Sequence, residues 1–234
     1  GKFVFPLVAF LVAVLISSYS GNALMQACNP CPDCVPPCDS PISEYCSPII
    51  IDVSGGGFHL TSAQDGVRFD IAGNGRPLQI AWTASGAMNA FLVLDRNGNG
   101  LIDNGKEMFG NFTEQPPSAN PNGFAALAEF DKLENGGNGD GIIDSKDIIF
   151  SSLRLWIDKN HDGVSQPDEL FTLPSMGIHS ISLSYREIRR RDQYGNLFRY
   201  RSRLNLLDQD LAKGGPVAYD VFFTGFSPQP PTVP

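Results

Sequence analysis

Residues 158–169 read Asp158-Lys159-Asn160-His161-Asp162-Gly163-Val164-Ser165-Gln166-Pro167-Asp168-Glu169, and this spacing constrains the chain more than any other feature. Oxygen-bearing side chains fall at positions 1, 3 and 5, a glycine at 6 and a carboxylate at 12. A hard divalent cation takes about six to eight oxygens. A short loop supplies them when alternate side chains turn inward around a glycine bend and a later acid closes the cage. The candidate calcium ligands are therefore Asp158, Asn160, Asp162, the Val164 carbonyl and Glu169. His161, at position 4, is expected to face solvent.

The pattern recurs. Asp95-Arg-Asn97-Gly-Asn99-Gly100-Leu101-Ile102-Asp103 matches positions 1, 3, 5, 6, 8 and 9, with Leu101 offering its carbonyl. Its position 12 is Lys106, and the closing acid Glu107 comes one residue late. A third copy, Asn138-Gly-Asp140-Gly141-Ile142-Ile143-Asp144-Ser-Lys-Asp147, has Gly136 at position 1, so Asp131 or Glu134 must reach in from upstream. Its other candidate ligands are Asn138, Asp140, the Ile142 carbonyl, Asp144 and Asp147. Two worn copies begin at Asp70, which lacks an oxygen at position 3, and at Asp52, which retains little beyond the first acid. Asp-Gly and Asn-Gly are also ordinary turn dipeptides, which is the plainer reading of those two.

Net charge follows from the same loops. The chain carries 25 acidic and 17 basic residues, a formal charge of −8. That balance excludes a general nucleic-acid binder, which needs a basic field for phosphate contacts. Bound Ca2+ would neutralise many of the acids.

Residues 1–23 read as an export segment: Lys2, then an apolar run from Phe3 to Ile16, then small residues. A cleaved signal peptide and a retained membrane anchor through residues 3–19 both fit, and Leu24–Cys28 forms a loose lipidation signal. Residues 24–48 form a Cys/Pro-rich stalk. Cys28, Cys31, Cys34 and Cys38 match an iron–sulfur half-motif, but export to an oxidising compartment favours disulfides. Residues 49–226 form the folded domain, and 227–234 a proline-rich tail. The location expected is extracytoplasmic, in the periplasm or at the cell surface.

Within the domain, β-branched and aromatic runs predict strands at 49–53, 67–71, 78–82, 90–94, 153–157, 178–184, 198–206 and 218–223. Helices are predicted at 123–130, 144–150 and 167–173. The expected fold class is α+β: short antiparallel strands and a few short helices organised around strand–loop–helix calcium loops.

The stretches Leu92–Gly110, Asn122–Asp131 and Leu153–Leu173 resemble a bacterial secreted, EF-hand-like calcium-binding domain found in RTX-type exoproteins. The resemblance covers about residues 49–223 and implies calcium binding without catalysis. Some relatives carry a related self-processing module that cuts an Asp-Pro bond when calcium arrives. No Asp-Pro dipeptide occurs here; the domain opens at Ser47-Pro48.

Seven of the 17 basic residues lie in Arg186–Arg203. Arg199, Arg201 and Arg203 alternate with other residues, which predicts three charges on one strand face and a dock for an acidic partner or anionic lipid, or else a solvated sheet edge. No Ser or Cys nucleophile motif, HExxH pair or phosphate loop is present, so no catalytic residue is expected. The resulting expectation is a non-enzymatic calcium-binding protein. Alternatives are a membrane-anchored accessory subunit of a larger assembly and, disfavoured, a calcium-triggered self-processing module.

Overall fold

A computed structural model describes residues 46–205 and 216–225. The export segment, the stalk cysteines Cys28, Cys31, Cys34 and Cys38, and the proline-rich tail lie outside the described residues. Eleven strands are present among those described: β1 (Ile49–Asp52), β2 (Val67–Phe69), β3 (Leu78–Ile80), β4 (Asn89–Val93), β5 (Ile142–Ile143), β6 (Arg154–Trp156), β7 (Leu170–Thr172), β8 (Ile181–Ser182), β9 (Arg186–Arg191), β10 (Leu197–Arg203) and β11 (Val217–Phe222). Seven form one antiparallel sheet in the order β7-β6-β4-β1-β11-β10-β9, and two small pairs, β2-β3 and β5-β8, lie outside it.

Both faces of the large sheet are buried at its central strands, which explains why these are apolar without alternation. Ile49 and Ile51 pack on one face with Ala90, Leu92, Leu155 and Phe222. Ile50 packs on the other with Phe91, Val93, Trp156 and Val221. The first face is covered by helix α1 (Gly123–Ala128), together with Ile143, Phe150 and Leu173. The second is covered by the β2-β3 hairpin, Trp82, Ile102 and Met108.

This is a mostly β architecture, and it overturns the α+β expectation. One α-helix of six residues is found among the described residues, and no helix there is long and apolar enough to cross a membrane. Nor is the fold organised around strand–loop–helix units. The predicted helix at 167–173 is a three-residue 3-10 turn, Pro167–Glu169, that runs straight into β7. Leu170, Phe171 and Thr172 have aromatic and β-branched character suited to a strand, and they pair with β6. The segment predicted helical at 144–150 likewise holds only the 3-10 turn Ile148–Ser151, where two consecutive isoleucines disfavour longer helix. Helix α1 is far below the ~12–15 residues at which a helix holds itself in water. Its stability comes from the Asn122 cap, which accepts the Ala125 N–H at 3.0 Å, and from burying Phe124 and Leu127.

A bulge in β10 corrects another expectation. Its pairing shifts register between Phe198 and Tyr200, so Arg199 leaves the alternation. Arg199 is buried, its guanidinium over the rings of Tyr200 and Phe222, whereas that of Arg201 lies over Tyr219. The three predicted charges therefore do not share one face.

Candidate metal loops

All five acid-led loops share one hydrogen-bonding scheme. The carboxylates of Asp52, Asp70, Asp95 and Asp158 each accept the backbone N–H of the glycine five residues on, at 2.6, 2.7, 2.8 and 2.9 Å. Asp131 performs the same task from further upstream, accepting Gly139 and Gly141 at 3.1 and 2.9 Å. The position-6 glycines Gly100, Gly141 and Gly163 have φ of 82°, 81° and 71°, the left-handed region that side chains disfavour. At Gly163 a Cβ would also stand 2.9 Å from Val67 Cγ2, so the loop packs against the β2-β3 hairpin only as glycine.

Position 3 then braces position 5: Asn97, Asn138 and Asn160 accept the N–H of Asn99, Asp140 and Asp162 at 3.0, 3.1 and 3.2 Å. Position 5 in turn accepts the N–H of Leu101, Ile142 and Val164 at 2.8, 3.0 and 2.8 Å.

The closing acids separate three loops from the other two. Glu107, Asp147 and Glu169 are all buried. Glu107 accepts Arg96 N–H with one oxygen (3.1 Å) and Asp103 N–H with the other (2.7 Å). Glu169 does the same with Lys159 (2.8 Å) and Gln166 (3.4 Å), and Asp147 with Asn138 (3.2 Å) and Asp144 (2.8 Å). Glu107, one residue late in sequence, reaches the same role because the turn Gly105–Glu107 is 3-10, with Asn104 as its cap. The loops at Asp52 and Asp70 have no such closure and are hydrogen-bonded turns. Burial pushes the Asp52 carboxyl up, but the amides of Gly57, Ser54 and Gly55 and the Ser54 hydroxyl together hold it below the ordinary carboxylate range.

The strongest loop is also tied into the core. Trp82 donates its indole N–H to Asp158 at 2.7 Å, and Trp156 donates to Glu169 at 3.2 Å. His161 does not face solvent as expected. Its two ring nitrogens lie 2.7 and 2.8 Å from the carbonyls of Thr83 and Asp65, which pins the loop to the segment around the β2-β3 hairpin.

The donors fit a hard cation in kind, since all are oxygens, but the acids are not gathered. Among the described residues no three His, Cys, Asp or Glu side chains converge into a metal-holding group. The carboxylates are drawn instead toward amide and indole N–H donors. In the 131–147 loop a lysine supplies positive charge: Lys146 lies 3.1 Å from Asp140 and 3.4 Å from Asp144. The Asn138 amide, helped by Lys146, holds the Asp140 carboxyl below its usual range.

One residue absent from the expected ligands stands out. Gln166, at position 9 of the 158–169 loop, donates from Nε2 to Asp162 at 2.9 Å, while its buried Oε1 has no hydrogen-bond partner beyond a loose capping contact with the Glu169 amide. A buried amide oxygen without a donor is costly, and a cation would satisfy it. Position 9 commonly ligates through water, and that was the available sequence signal.

The SPM domain family matches residues 49–223. Iron-regulated protein FrpA of Neisseria meningitidis serogroup C is 38% identical over 171 residues, which make up 72% of this chain and 15% of FrpA. The chain thus corresponds to a small part of that relative's length.

Proposed function

The chain belongs to the SPM domain family, and from that premise we propose that it is a non-enzymatic, extracytoplasmic module whose closed loops bind calcium. The Gln166 Oε1 carries this reading: its side chain reaches Asp162 through Nε2, which leaves a buried oxygen for a cation to satisfy in a loop whose other candidate ligands are also oxygens. Asp158, Asn160, Asp162, the Val164 carbonyl, Gln166 and Glu169 would hold one ion. Asp95, Asn97, Asn99, the Leu101 carbonyl, Asp103 and Glu107 would hold another. The third loop, with Asp131, Asn138, Asp140, the Ile142 carbonyl, Asp144 and Asp147, carries Lys146 as a competitor and ranks below them.

Charge supports a role in folding. Each loop carries several carboxylates within a short segment, and a divalent ion would offset their negative charge. Extracellular sites of this type bind at ~10⁻⁴ to 10⁻³ M, so the ions would be present outside the cell and absent within it. On this reading the chain completes its fold after export, either released or held at a membrane by residues 3–19 or a lipid on Cys28. Calorimetric calcium titration of the full chain, alongside the Asp158→Ala and Asp95→Ala variants, tests it. Two sites, each abolished by one variant, are expected. An absence of binding heat, with identical unfolding temperatures in calcium and chelator, would overturn the reading.

A further inference from the structure

At the far edge of the large sheet, β9 and β10 place Arg186 directly opposite Arg201. Like charges facing each other across a strand pair repel and cost stability. Neighbouring carboxylates do not relieve this pair. Glu187 is taken by Arg189 and Arg199, each at 2.9 Å, and among the described residues neither Arg186 nor Arg201 nor Arg203 has an ion-pair partner. On a chain of net charge −8, three arginines with no ion-pair partner among the described residues line one place.

That place is concave. A cavity of about 360 Å³ is lined by Arg186, Arg201 and Arg203 together with Ser182, Ser184 and Tyr185. Its volume falls within the ~300–1,000 Å³ of small-molecule sites. The hydroxyl groups are partly committed in a telling way. Ser182 Oγ accepts the Ser184 N–H at 3.1 Å, and the Tyr185 hydroxyl accepts an amide hydrogen from Asn122 at 3.1 Å, so the Tyr185 proton is left to donate. Tyr185 is held in place by stacking on Phe124, with ring centroids 5.5 Å apart. The lining therefore combines three arginines with hydroxyl-bearing side chains on the sheet edge.

From this geometry we infer that the β9-β10 pocket binds a phosphate group, as a phosphate ester or an anionic lipid headgroup. A phosphate presents several acceptor oxygens and matches the fork geometry of arginine, which is why it suits a facing pair. The remaining volume accommodates a substituent on the phosphorus. The inference is independent of calcium binding, because the pocket shares no residue with the metal loops.

The test uses the full chain in calcium-containing buffer. One arm titrates glycerol phosphate by calorimetry; the other floats the protein with phosphatidylcholine vesicles containing phosphatidylglycerol. Comparison is made with the Arg186→Gln/Arg201→Gln double variant, and with Arg190→Gln as a control on the same strand outside the pocket. Binding in either arm, weakened roughly tenfold or more in the double variant and little changed in the control, supports the site. The arm that responds names the source of the phosphate. Should the double variant fail to fold, the exposed Arg203→Gln replaces it. Absence of binding in both arms overturns the inference. So does equal loss in Arg190→Gln, which would reduce the effect to bulk charge.

Discussion

Trp82 and Asp158 lie 76 residues apart, yet the indole N–H of one meets the carboxylate of the other at 2.7 Å in the buried interior. Trp156 repeats the arrangement with Glu169, so both tryptophans of the chain report on one loop. Calcium addition to chelator-treated protein should therefore change intrinsic tryptophan emission, and Trp82→Phe should remove a large part of that change. A calcium-independent emission spectrum would count against occupation of the 158–169 loop.

The same bond predicts that Asp158→Ala is destabilising even without metal. It strands a buried indole donor, at a cost of about 1–3 kcal/mol. Denaturant unfolding in chelator should show that loss, and in calcium a larger one. Equal losses in the two conditions would reduce Asp158 to a structural staple.

The two stronger loops touch through their eighth positions, where the Ile102 N–H donates to the Ser165 hydroxyl at 2.6 Å. Ser165→Ala leaves that buried amide unsatisfied and should cost about 1–3 kcal/mol in unfolding free energy. If the loops are coupled, calorimetry of this variant should also show their calcium affinities becoming independent.

Lys146 predicts the opposite kind of change. Removing its ammonium from beside Asp140 and Asp144 as Lys146→Met should tighten calcium binding at the 131–147 loop or reveal a third site by calorimetry. An unchanged titration would mean that this loop is not a cation site.

Asp220 sets a pH dependence. It is fully buried in β11, where Oδ2 accepts the Gly123 N–H at 2.8 Å and Oδ1 completes no hydrogen bond. Burial pushes its carboxyl up to about 7, against smaller opposing effects of the Ser47 hydroxyl, the Gly123 amide and Arg199. Because the folded state holds this proton more tightly than the unfolded chain, the group favours folding fully below pH ~4. That contribution is lost as pH rises through about 7. Asp220→Asn should flatten the corresponding slope of melting temperature between pH 5 and 8, and melt above the parent at pH 8. A parallel profile would refute the assignment.

Most of the strands were legible, because Ile49–Asp52, Asn89–Val93 and Val217–Phe222 are apolar and β-branched enough to have no competing reading. Strand β9 was not. Arg-Glu-Ile-Arg-Arg-Arg looks like a solvated run, and it pairs only because β10 offers it an edge. The helices after the loops were misread because the twelve-residue spacing implies one, whereas three residues of 3-10 turn suffice to fold Glu169 back onto Lys159. Spacing did point to Asp131 as one of two possible first acids. It could not show Trp82, Trp156 or His161 as loop partners, since those contacts depend on how the hairpin closes over the sheet.

Strand β1 is bracketed by β4 and β11, so Ile49 and Asp220 are cross-strand neighbours at the middle of the sheet. The polypeptide therefore arrives and departs at nearly the same place, and such a unit can be spliced into a longer protein without forcing its flanks apart. The cost falls on timing during synthesis. Ile49–Asp52 is made first but must wait for Val217–Phe222, so a nascent domain keeps an open seam until almost its last residues emerge.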